Sequence, residues 1–160
     1  MTSFSEGEQW VLDLPWYAVD LEGRIGHFTT GGEKLFPPVV AESREDWEVL
    51  NNYFENLPAI QEGNYIVCPD LRNKLDSRLV PNIFGYIKPS AEMSARGLFA
   101  YDSPPDDNER SYIRVTMPKK ELKFDDLPEE IKNILQNFRL SEIDFTQNSL
   151  ILDEMANKCS

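Results

Sequence analysis

Two cysteines and one histidine are all that the chain offers of the side chains most often used for nucleophilic or metal chemistry. Cys68 sits inside the apolar run Tyr65-Ile66-Val67-Cys68, and Cys159 stands next to the last residue. Two distant cysteines without a secretory context read as free thiols. A nucleophilic Cys68 requires a histidine partner, and only His27 exists. Basic side chains are also few: 16 Lys and Arg face 28 Asp and Glu, for a net charge of −12. A field of that sign repels nucleic acid and anionic membranes. It keeps the chain soluble, and it would steer in a basic protein partner. Residues 1–60 hold 11 acidic and 3 basic side chains, and the remaining hundred hold 17 and 13.

Long apolar runs are missing too. None approaches the roughly 20 residues that a membrane helix needs. The opening MTSFSEGEQW has neither the basic residues nor the apolar stretch of a signal peptide, so a cytoplasmic protein is expected. No repeat, low-complexity tract or linker marks a second domain, and residues 1–160 read as one domain. The hydrophobic fraction of 41% and the aromatic fraction of 11% exclude a disordered chain.

The strongest local signal is Trp16 to Gly32, WYAVDLEGRIGHFTTGG. Trp16 to Asp20 is aromatic and β-branched, which suits a strand. Asp20-Leu21-Glu22-Gly23 is turn chemistry. The Asp side chain bonds the backbone two residues on, and Gly enters left-handed φ without a Cβ clash. A type I turn with a glycine bulge sets Val19 opposite Ile25, Ala18 opposite Gly26, Tyr17 opposite His27 and Trp16 opposite Phe28. A tighter turn at Glu22-Gly23 would set Val19 against Gly26 and Tyr17 against Phe28. The first register is preferred because it pairs two β-branched residues. Both faces of this hairpin are mostly apolar, so both are expected to be covered. His27 has two readings, a general base or metal ligand, or a half-buried strand residue beside Tyr17; the second is preferred because no ligand-spaced Cys, Asp or Glu accompanies it. Thr29-Thr30-Gly31-Gly32 lacks the lysine of a phosphate loop and reads as a flexible exit from the strand.

Elsewhere, residues 1–9 read as frayed, and Trp10–Leu14 as an edge strand or packed lead-in. Leu35–Val40, with two prolines, reads as extended cover for one end of the core. Ser43–Leu57 is an amphipathic helix capped by Ser43, with Trp47, Leu50, Phe54 and Leu57 in one stripe. Tyr65–Cys68 is a short strand, and residues 69–76 are either a helical turn or a loop. Ile83–Ile87 reads as a strand and Pro89–Arg96 as a connection. Leu98–Asp102 and Tyr112–Met117 form a second hairpin around the polar loop Ser103–Ser111. In that loop Asp106, Asp107 and Glu109 are the candidate partner-binding residues. A second amphipathic helix starts at an Asp126-Leu127-Pro128-Glu129 cap. Ile143–Phe145 and Leu150–Leu152 belong to a docked tail. The expected fold is α+β: an antiparallel twisted sheet of about five or six strands with two amphipathic helices.

WYAVDLEGRIGHFTTGG resembles the aromatic-Ala-Val-Asp-x-x-Gly hairpin of a group of small bacterial proteins with no assigned activity. YIRVTMPKKELKFDDLPEEI resembles their later strand and Leu-Pro-x-x-Ile helix start. By size and charge the chain also resembles immunity proteins of bacterial toxin systems. Neither resemblance brings catalytic residues. No cofactor or metal is called for. The reading is a non-catalytic protein-binding module, of the immunity type, for a basic partner. Two alternatives are a hydrolase using His27 with Asp20 or Asp102, and an accessory subunit whose apolar hairpin face is capped by another copy.

Overall fold

The computed structural model describes residues 2–31, 34–69, 71–74, 80–103 and 111–157. The first half runs α1 (Glu6–Val11), β1 (Pro15–Asp20), β2 (Ile25–Thr29), α2 (Pro38–Ala41), α3 (Arg44–Asn56), β3 (Tyr65–Val67) and α4 (Leu71–Lys74). Then come α5 (Ile83–Ala95), β4 (Phe99–Asp102), β5 (Ser111–Pro118), α6 (Glu129–Leu135), β6 (Arg139–Leu140), β7 (Leu150–Leu152) and α7 (Asp153–Ala156). The seven strands make one sheet, ordered β3-β5-β4-β2-β1-β6, with β7 also on β5. The fold is α+β, but the sheet is mixed. β2 pairs parallel with β4, and β1 pairs parallel with β6. Turn chemistry reveals only antiparallel neighbours. The β2–β4 pair is made by a long crossover that carries α2, α3, β3, α4 and α5, and no local signal announces it.

The hairpin holds the register expected for the bulged turn: Val19 faces Ile25, Tyr17 faces His27 and Trp16 faces Phe28. Gly23 has φ 84°. Asp20 Oδ1 accepts from the backbone N–H of Glu22 and of Arg24, both at 2.9 Å. Both faces of the hairpin are covered. On one, Tyr17 stacks on Phe54 of α3, and α3 and α6 lie over β1. α5 lies on this same face. Ala100 stands beside His27, Thr116 stands beside Ala100, and the Ser94 hydroxyl of α5 is 2.7 Å from that of Thr116. On the other face, Trp16 stacks on Phe28, and the tail brings Phe145 against Phe28, Phe99 and Tyr101. The Phe145 ring fits because residue 26 is glycine: a Cβ there would come within 2.8 Å of it. Burying such a ring fully contributes about 2–3 kcal/mol.

Several expectations are corrected. Residues 6–11 are helical, because Ser5 and Glu8 form a reciprocal capping box; the lead-in Trp10–Leu14 begins inside that helix. Leu35–Val40 does cover the core with Phe36 and Val40, but its end turns into α2. Ile83–Ile87 and Pro89–Arg96 are one helix, α5. Ile83, Ile87, Ala91 and Ser94 are buried at i, i+4, i+8 and i+11, and that burial outweighs the bond that Pro89 cannot donate. Alternation of Ile83 and Ile87 is equally a spacing of four. With α5 the sheet carries more than two amphipathic helices. Asp126 does not cap α6: it closes a short 3-10 turn, and α6 begins at Glu129 after Pro128. The second hairpin is present, with a bulge opposite Ala100 and Tyr101. The tail does add a strand, since Leu150–Leu152 pairs with Ser111–Ile113. β3 and β7 lie end to end along the outer edge of β5.

Asp20 joins the two ends of this arrangement. Its Oδ2 accepts the Phe145 N–H at 2.9 Å and lies 3.5 Å from the Arg24 guanidinium, and its side chain is fully buried. Asp20→Ala strands these donors and should lower stability by about 3 kcal/mol, as chemical denaturation would measure. Exposed Glu22→Ala should stay within about 0.5 kcal/mol. An Asp20→Ala loss below about 1 kcal/mol would contradict this account.

Candidate functional site

The residues that sequence singles out for chemistry are each committed elsewhere. His27 is buried with its ring edge-on to Tyr17, 5.4 Å between centroids. Burial, aided by the nearby Arg96 charge, pushes its pKa down to about 4. Asp20 points to the opposite face of the sheet, where it binds the Phe145 N–H. Asp102 accepts from the Thr29 hydroxyl at 2.5 Å and from the Tyr86 hydroxyl at 2.6 Å. Neither carboxylate is paired with His27. Cys68 lies 3.1 Å from Arg114 Nε, and the same guanidinium holds the Phe145 carbonyl, on the side of the sheet away from His27. Among the described residues no group of three or more His, Cys, Asp or Glu is placed to hold a metal. No described helix is long and apolar enough to cross a membrane. Asp106, Asp107 and Glu109 lie outside the described residues, as does Gly32.

Two surfaces stand out instead. The first is the helical layer of α3 and α6, which pack on each other. Their amphipathic stripes face the sheet, so their charged residues face out. Glu45, Glu48 and Glu55 of α3 are exposed, as are Asp125, Asp126, Glu129 and Glu130 around the start of α6. The two bases of these segments are already paired, Arg44 with Glu8 and Lys132 with Glu129. Glu45 accepts from the Thr2 backbone N–H at 3.0 Å, which holds its pKa down at about 2. Both ends of α3 are satisfied locally. Ser43 caps the start of α3, and Arg96, just past α5, donates to the Leu57 and Glu55 carbonyls at its end. At α3 the face therefore offers side-chain carboxylates rather than bare backbone. Sequence reasoning placed the acidity in the first sixty residues but could not say that α6 adds to it.

The second surface is the groove between α5 and β3, about 660 Å³, lined by Tyr65, Val67, Phe84, Ile87, Ala91 and Ala95 among others. Phe84 is 85% exposed, and Tyr65, Ile66 and Val67 are each more than a third exposed. The run YIVC reads as a short apolar strand from sequence. In the structure it is an edge strand, and topology alone makes it so.

No protein-family model, curated protein or solved structure matches the chain.

His27 generates a pH dependence. Its folded pKa, about 4, lies below its ordinary value of 6.5, so the unfolded chain binds the extra proton first. Its contribution is fully present above pH 6.5 and is lost as pH falls toward 4, by roughly 3 kcal/mol at most. Denaturation midpoints measured between pH 7 and pH 5 should fall for the native chain and fall less for His27→Gln. Identical slopes for the two chains would show that burial of His27 does not perturb it.

Proposed function

We propose that the chain is a non-catalytic protein-binding module that takes a basic partner on the α3–α6 face, as an immunity-type inhibitor does. One observation carries this reading: seven exposed carboxylates share a helical layer with only two bases, Arg44, which is paired with Glu8 outside the set, and Lys132, which offsets Glu129 alone. A surface of that kind raises the local concentration of a cationic protein and speeds its capture. The commitment of His27, Asp20, Asp102 and Cys68 to structural contacts favours binding over chemistry. A copy capping the hairpin has no free face to sit on, because α3 and α6 take one side and Phe145 the other.

The test compares the native chain with Glu48→Lys/Glu55→Lys/Glu130→Lys as baits in host extract at low salt. The expected result is a basic protein held by the native chain. Its association rate should fall about tenfold or more between low and physiological salt, and by a similar factor for the triple variant. Recovery of no partner at low salt, or a partner that binds both chains equally fast, overturns the proposal.

A further inference from the structure

We infer that the β3 edge and the α5 groove form a self-complementary surface on which a second copy of this chain docks, with the two β3 strands antiparallel about a two-fold axis. Three observations carry it, and none depends on the acidic face.

The first is the edge itself. Cys68 N–H points inward to the Val115 carbonyl at 3.0 Å, so by strand alternation Ile66 also points inward. Val67 and the Tyr65 carbonyl then face outward, while the Tyr65 N–H donates to the Gly63 carbonyl at 2.8 Å, so the mate's bonds run from each Val67 N–H to the other copy's Tyr65 carbonyl. The strand has no charged or proline residue of the kind that keeps an exposed edge from pairing. An antiparallel mate centred on Ile66 sets Tyr65 of one copy against Val67 of the other, twice over.

The second is charge. Residues 59–120, which build this edge, hold nine basic and eight acidic side chains. Residues 1–58 hold three and eleven, and residues 121–160 hold four and nine. Of the charged residues, Glu62, Lys88 and Glu92 line the groove, so this surface meets its own likeness with less repulsion than the acidic α3–α6 face would.

The third is reciprocity along α5. The groove carries Lys88 and Glu92 beside its apolar wall. A two-fold axis between them brings Lys88 of each copy toward Glu92 of the other. The same axis sends Phe84, the most exposed aromatic in the patch, into the opposite groove.

The test is sedimentation of the full chain at concentrations up to about 100 µM, a range that reveals micromolar dimers. The native chain should run at twice its 18.5 kDa mass. Phe84→Asp, which changes a side chain outside the core, should weaken the dimer tenfold or more. So should Lys88→Glu and Glu92→Lys singly, while an equimolar mixture of those two variants should restore association. A monomeric native chain overturns the inference. So does a dimer that all three variants leave intact, or a mixture that stays monomeric. Because the acidic face is untouched, the triple variant of α3 and α6 should dimerise like the native chain.

Discussion

A single buried carboxylate ties the fold together. Asp20 closes the turn of the hairpin with one oxygen and fixes the tail with the other, across 125 residues of sequence. A buried anion is costly unless it is fully bonded, and here three backbone N–H groups and Arg24 surround it. Arg24 is shared in turn with Glu121 at 3.2 Å and Asp144 at 3.3 Å, so the turn, the strand exit after β5 and the tail meet at one point. The backbone follows the same seam: Val19 N–H donates to the Phe138 carbonyl and Leu21 N–H to that of Ile143. The second aromatic layer, Phe28, Tyr101 and Phe145, exists only because this seam brings the tail across the sheet.

The parts of the fold written in adjacent residues were readable in advance. Asp20 and Gly23 set the hairpin register, Ser43 and a four-residue stripe set α3, and alternation set β4 and β5. The Ser5 and Glu8 box was equally local and was obscured by the alternating Trp10–Leu14 that follows it. Sequence reads α5 as a strand and a connection because Ile83 and Ile87 satisfy both periods and Pro89 argues against a helix. The parallel pairs had no signal at all, since partners such as Gly26 and Phe99 meet only through the crossover.

The surfaces were less legible than the core, for a related reason. Tyr65, Ile66 and Val67 have the composition of a buried strand, and only the strand order leaves them at the rim. Phe84 looks like a core residue until α5 turns it outward. The excess of acid was visible as a number. Its concentration on one helical layer, with α5 and β3 kept almost neutral, emerges only when α3 and α6 are laid side by side.

The reach of Phe145 bears on how the chain is made. The pocket above Gly26 is walled by Phe28, Phe99 and Tyr101, and the ring that fills it is added 44 residues after Tyr101. At roughly 5–20 residues per second, a growing chain on the ribosome carries that aromatic layer bare for about 2–9 seconds. Closure of the sheet's second face therefore waits on residue 145, and a chaperone that shields Trp16 and Phe28 in the interval would be guarding the same surface that the tail later seals.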